Sequence, residues 1–379
     1  MPAVTIVESG GVGVTPVASN GVLMTPVYVG GVAVTIAANA TPVVFLSETG
    51  ESLLETATAY LGEIEPLHYW DFISNRAVFS GLDVGGVTST PGYTLTRASV
   101  GTAETVAGEI VQFASGELRR TDKGVLIEGA RTNLFLNSDV GVTQSITVAA
   151  VAHVLSMRGT GTITLTGTST AGPLVGTGAN NTVTLAFTPT AGTLTLTIAG
   201  SCTNVQLEAG AFRSSWIPTA GASVARAADI LTVSSPGVVF PMTLWAEIER
   251  AVDTGGIEVF IRVDDATANE VAAVTINASD LTNVSMTAGG VVQGAPTSAG
   301  ATVVNTTYKM AGSFATNRVQ SCRSGILGTE DTLATAAATP TVLRIGSNVT
   351  GAGQPFGYIK RAAIFNTALS DANLQLVAP

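Results

Sequence analysis

Apolar residues occupy every second position through the middle of this chain: Ile163 and Leu165 in TGTITLTG, Val183 and Leu185 in NNTVTLAF, and Leu194, Leu196 and Ile198 in GTLTLTIAG, with threonine filling most of the gaps. A period of two sends successive side chains to opposite faces, so each run reads as a strand with one face in a core and the other in water. The alternation continues through residues 145–159 and 203–210, and the glycines between runs supply turns. Upstream, residues 68–79 alternate around Trp70, Phe72 and Val78, and residues 93–99 around Tyr93 and Leu95. Residues 109–129 read as a hairpin turning at Ser115-Gly116. Downstream, residues 243–250, 256–265, 270–277, 283–294, 308–325 and 341–347 follow the same rule. The pattern predicts an all-β fold.

Two stretches break the period. Ser52 and Glu55 fit a capping box, and Leu53, Leu54, Ala57 and Leu61 share a face at helical spacing, so a short helix is expected to end near Gly62 with Pro66 beyond it. Near Pro379, Ser370 can cap a helix whose Leu374 and Val377, together with Leu369, fold back on the sheets.

Residues 1–46 carry an internal repeat. VTIV, VTPV, MTPV and VTIA recur at a spacing of ten, separated by Gly10-Gly11, Asn20-Gly21 and Gly30-Gly31, which accept the positive φ of a reversal. Pro16 and Pro26 cannot donate to a ladder, which makes their segments edge strands or an open arm. A unit this small cannot bury its own apolar face, so the arm is expected to pack on copies of itself or on another protein. The other reading is a small independent β-meander.

Composition narrows the functional classes. The length of 379 residues allows two or three domains. Charged residues are only 12% of the chain, about half the usual share, as suits a protein that assembles into something larger. The net charge of −10 would repel a phosphate backbone, so nucleic acid is a poor partner. No uninterrupted apolar run approaches the length of a membrane span, and no membrane insertion is expected. The first ten residues lack the basic and apolar regions of a secretory signal, so assembly in a cytoplasm is expected. Cys202 and Cys322 fall in different predicted domains and read as buried free thiols.

Two long signatures bracket the middle of the chain, GVLIEGARTNLFLNS (residues 124–138) and VQLEAGAFRSSWIPTAGASVARAAD (residues 205–229). The pair resembles a β-sandwich of tailed-bacteriophage virion proteins that is related to carbohydrate-binding modules. Residues 356–378, with TVLRIGS before them, resemble the last strand and terminal helix of concanavalin-like or laminin-G-like jelly rolls. These resemblances imply an N-terminal repeat arm over 1–46 that anchors to the virion and a helical connector over 47–66. A carbohydrate-binding-module-like sandwich over 67–230 and a jelly roll over 231–379 would follow. In the alternative division, 67–123 and 231–379 form one jelly roll with 124–230 inserted. The implied function is a head fibre, spike or tail fibre of a virion assembled in a bacterial cytoplasm, a homo-oligomer and by analogy a trimer. Its partners would be capsid, portal or tail proteins through residues 1–46, and host surface polysaccharide. A capsid decoration protein and a polysaccharide depolymerase are the alternatives.

Little in the sequence points to catalysis, and the chain is expected not to be an enzyme and to need no cofactor or metal. His68 and His153 are the only histidines, and His153 lies in an apolar run where a hydrogen-bonded core residue is the simpler reading. Glu247 and Glu249 share a strand face at a spacing compatible with a glycosidase pair, but Arg250 beside them and a plain solvated face weigh against it. Asp264, Asp265, Asn269 and Glu270 could offer oxygen ligands to calcium, or form an acidic turn. Arg119-Arg120 reads as a solvated turn or as a contact for an acidic glycan. Sugar binding by a sandwich uses an exposed aromatic ring. Trp70 and Trp245 read as core, which leaves Trp216, after Ser214-Ser215, as the candidate.

Overall fold

The computed structural model describes residues 53–379 except Ala299, together with the backbone of the strands Ala18–Ser19, Val22–Leu23, Pro26–Val29 and Val32–Thr35. These four strands form two antiparallel pairs, Ala18–Ser19 with Val22–Leu23 and Pro26–Val29 with Val32–Thr35. The remainder of the expected arm, its virion contacts and the capping residue Ser52 lie outside the described residues.

The rest of the described chain is almost entirely β, as the alternation predicts. A ten-stranded antiparallel sheet has the strand Met242–Arg250 near its middle, between Thr307–Ala315 and Gly357–Phe365. His68–Asp71 pairs with Gly357–Phe365 on the far side, and Gly124–Ile127 pairs with the beginning of that same strand. A seven-stranded sheet runs from Val291–Gly294 through Glu258–Asp264 and Val342–Ile345 to Ile230–Ser234 and Tyr93–Thr96. Strand pairing therefore crosses the division expected near residue 230: segments from 68–127 complete both sheets of the C-terminal half. Alternation specifies which face a residue takes but not its partner strand, so this pairing was open in the sequence.

One buried cluster fills the space between the two sheets. Met242, Leu244, Ala246 and Ile248 enter it from the central strand, meeting Phe260, Ile261 and Val263 from across the sandwich and Trp70 and Phe72 from upstream. Trp245, on the opposite face of the same strand, joins a second cluster beneath the helices Leu53–Tyr60 and Asp371–Val377. Ala57 of the first helix and Leu61 just after it are fully buried there, so this segment is packed on the sheet. In the second helix Ser370 Oγ accepts from Asn373 N–H, and Leu374 and Val377 are buried.

Residues 131–226 build a separate sandwich. Gln144–Val148, Gly192–Ala199, Thr162–Gly167 and Leu174–Val175 form one sheet, and Gly178–Phe187, His153–Gly159 and Cys202–Ala209 form the other. Leu155, Met157, Leu165, Leu196 and Leu207 fill the space between them. The run at 145–159 is therefore not one strand: Gln144–Val148 and His153–Gly159 sit in opposite sheets. The hairpin expected at Ser115-Gly116 is also replaced by two others. Ile110–Phe113 pairs back on Gly101–Glu104, and Arg120–Thr121 pairs with Gly124–Ile127 across Asp122-Lys123.

Candidate functional site

The chain leaves the large sandwich and returns to it through a narrow neck. Arg131–Asn133 and Val224–Arg226 pair antiparallel, and the residues just outside them form a buried ion cluster. The Arg119 guanidinium donates to Glu128 Oε2 at 2.7 Å, to Ser215 Oγ at 2.8 Å and to the Thr102 carbonyl at 2.8 Å, and it also pairs with Asp229. Arg97 reaches Asp229 Oδ1 at 2.9 Å, and Arg226 lies 3.3 Å from Glu128. Burial alone would push the Glu128 carboxyl up, but Arg226 and Arg119, helped by the Ser215 hydroxyl, outweigh it and hold the group at about 2. Arg119 is thus a structural core residue and not part of a solvated turn; Arg120 donates to the Ile73 carbonyl at 2.9 Å.

A cleft of about 290 Å³ opens beside this neck, near the lower end of small-molecule sites. The inserted sandwich contributes Thr182, Thr184 and Arg213 to it; the large sandwich contributes Glu249, Asn305, Phe356 and Tyr358; the neck hairpin contributes Lys123. Arg213 and Arg158 both reach Glu104 Oε1, at 3.2 and 3.1 Å. Burial would raise Glu104, yet these two guanidinium groups keep it below the usual carboxylate range. The Tyr358 hydroxyl donates to the Glu104 carbonyl at 3.1 Å, and Lys123 Nζ stands 5.4 Å from the centre of the Tyr358 ring. Glu249 is paired with Lys360 at 2.8 Å.

Phe356 has the least ordinary backbone in the cleft. Its φ is 47°, a left-handed conformation that costs a bulky residue on the order of 1 to 3 kcal/mol and that persists only where the surroundings impose it. Here the ring meets Phe212 edge-on at 5.0 Å, and the Arg131 guanidinium lies 5.2 Å from its centre. Phe356 is half-buried and lines the cleft. Nothing in the run GQPFGYIK signals this conformation, so periodicity could not single out Phe356.

The residues singled out in the sequence lie apart from one another. Glu247 and Glu249 do occupy one strand face, but Glu247 is buried, accepting from the Tyr60 hydroxyl at 2.8 Å and pairing with Arg361 at 2.7 Å. Burial, and then the Glu247 charge, push the Tyr60 hydroxyl up to about 12. Asp264 is shared between Arg262 and Arg344, Asp265 accepts from Thr267, and Glu270 accepts from the Gly289 and Ala338 amides. These oxygens are spent on the fold; Asn269 sits in the same turn, its amide donating to Thr267 Oγ1. Among the described residues no group of three or more His, Cys, Asp or Glu is placed to hold a metal ion, and no helix is long and apolar enough to cross a membrane. Trp70 and Trp245 are buried and donate to Thr90 Oγ1 and the Val377 carbonyl. Trp216 is half-buried, with its indole nitrogen buried and unpartnered, and does not line the cleft. His153 is buried 2.8 Å from the Val151 carbonyl. Cys202 and Cys322 are free and buried in separate clusters.

No family model matches the sequence, and no curated protein matches it. Among solved structures, the chain is similar to the CBM40 module of Ruminococcus gnavus IT-sialidase, with 14% identity over 36% of this chain and 82% of that one and a TM-score of 0.31. It is also similar to NanB sialidase of Streptococcus pneumoniae, with 12% identity over 38% and 26% and a TM-score of 0.32. For leech intramolecular trans-sialidase the figures are 15%, 36% and 23%, with a TM-score of 0.28. The expectation that the chain is not an enzyme is corrected: the solved structures it is similar to in part include a sialidase and a trans-sialidase.

Proposed function

We propose that this chain is a bacteriophage virion protein that binds host surface glycan in the cleft beside its neck. The observation that carries the glycan reading is the half-buried Phe356 ring, fixed in a strained conformation at a polar cleft. An apolar ring face flanked by hydrogen-bonding groups suits a pyranose, whose own faces are apolar and whose rim is hydroxylated. Thr184 and Asn305 line the same cleft and would offer that rim a hydroxyl and an amide. The virion assignment is supported by the paired signatures at 124–138 and 205–229, and residues 1–46 would be its anchor. Several copies on one particle would raise the effective affinity of a weak site.

An array of bacterial surface polysaccharides probed with the full chain tests the binding. Phe356→Leu and Thr184→Val should each weaken retention by about tenfold, roughly the loss of one stacking or polar contact. Mass spectrometry of purified particles, and of particles made with residues 1–46 deleted, tests the virion role. Loss of the truncated chain from particles is expected. A chain present on particles that retains no glycan would leave only shell decoration.

A further inference from the structure

The charges around the cleft are balanced against one another. Its walls carry three carboxylates, Glu104, Glu128 and Glu249, and two cations, Lys123 and Arg213. Arg213 and the buried Arg158 pair with Glu104, and the Lys123 charge also acts on Glu104. Arg119 and Arg226 pair with Glu128, and Lys360 pairs with Glu249. A charged ligand would shed its water here without meeting a free counter-charge, and a ligand carboxylate would also meet three of its own sign.

Two of the carboxylate oxygens on these walls have no donor. Arg158, Arg213 and Thr182 all reach Glu104 through Oε1, and Lys360 and Thr307 reach Glu249 through Oε2. Among the described residues no hydrogen bond or ion pair is made to Glu104 Oε2 or to Glu249 Oε1, and the two side chains are 21% and 23% exposed. Glu128 differs, because the Ser215 amide donates to its Oε1 while Arg119 and the Ser215 hydroxyl donate to its Oε2. An ionised carboxylate only accepts, so the open positions in the cleft call for a ligand that donates.

We infer that the cleft selects an uncharged sugar, a neutral hexose unit, whose hydroxyls donate to Glu104 Oε2 and Glu249 Oε1 while its ring lies on Phe356. This rests on the glycan reading and adds the class of sugar and the two groups that recognise it. A hydroxyl bonded to a carboxylate makes a contact roughly twice as strong as one between neutral groups, and a pyranose offers several such hydroxyls around its rim. A uronate has a carboxylate where the hexose has its hydroxymethyl group, so it loses one donor and brings a like charge to the same walls. A free amine would find each carboxylate already paired with a cation.

Calorimetric titration of the full chain with oligosaccharides of neutral hexoses, of the matching uronates and of hexosamines with free amines tests the inference. The neutral members should bind at least about tenfold more tightly than either charged set, with little change between low and high salt. Glu249→Gln should weaken neutral-sugar binding by about tenfold, with an unchanged unfolding midpoint as the control for folding. Glu104→Gln should act in the same direction, but it also takes the shared carboxylate from Arg158 and Arg213. O-methylation of the sugar hydroxyls leaves the protein untouched and should cost about the same factor. Either charged set binding as tightly as the neutral one would overturn the inference while leaving the glycan reading in place. Neutral-sugar binding that Glu249→Gln or O-methylation leaves undiminished would overturn it as well. Failure of every sugar, charged and neutral, would remove the glycan reading itself.

Discussion

Glu128 and Asp229, 101 residues apart, exchange two hydrogen bonds: the Glu128 amide donates to Asp229 Oδ2 at 2.9 Å, and the Asp229 amide donates to the Glu128 carbonyl at 2.9 Å. Glu128 follows the strand Gly124–Ile127 and Asp229 follows the strand Val224–Arg226, so the pair closes the neck of the inserted sandwich. Among the described residues the three arginines around them form ion pairs with these two carboxylates alone. Glu128→Gln or Asp229→Asn should therefore cost about 3 to 5 kcal/mol in urea unfolding, because each leaves buried guanidinium charge uncompensated. A loss below ~1 kcal/mol would show that the cluster is better solvated than its burial implies.

Acid should act on this cluster late. Glu128 is held at about 2 in the folded chain against an ordinary 4.5, so its stabilising contribution is complete above pH 4.5 and disappears as pH falls toward 2. Unfolding midpoints recorded from pH 5 to 2 should fall less steeply in Glu128→Gln than in the parent.

His68 should respond in an earlier window. The Ser80 amide donates to Nδ1 at 3.1 Å, so Nε2 carries the proton and donates to the Pro236 carbonyl at 2.7 Å. Burial lowers this imidazole to about 4 despite the carbonyl, against 6.5 in an unfolded chain. Between those values the unfolded state takes up a proton that the folded state refuses, so stability declines as pH drops from 6.5 toward 4. His68→Gln should flatten the pH dependence of the unfolding midpoint in that interval.

The terminal helix supplies a fourth test. Leu374 is fully buried, and Trp245 Nε1 donates to the Val377 carbonyl at 2.7 Å. Leu374→Ala should cost about 2 to 5 kcal/mol, and Trp245→Phe should cost about 1 kcal/mol through the lost hydrogen bond. Chemical denaturation of both variants measures this.

Both thiols should resist reagents in the native chain. Burial pushes Cys322 up to about 11 and raises Cys202, which leaves little thiolate at neutral pH. An Ellman-type titration should find both unreactive until denaturant is added; a fast-reacting native thiol would contradict the packing around Cys202 or Cys322.

The sequence by itself determined the all-β character, most of the strands and the terminal helix with its Ser370 cap, because these follow from local periodicity and backbone chemistry. The tertiary structure decided which strands share a sheet, since alternation is the same whichever neighbour a strand pairs with. It also reversed the reading of polar positions such as Arg119, Arg158, Gln206 and Glu208. Their place in the pattern is that of water-facing residues, but they are buried at the neck and between the sandwiches. Burying them is tolerable only because partners up to 110 residues away satisfy their charges and hydrogen bonds, as Asp229 does for Arg119, and no local pattern records such a partner. The cleft has the same origin: Lys123, Arg213 and Phe356 come from three distant stretches, and only the docking of one sandwich on the other brings them together.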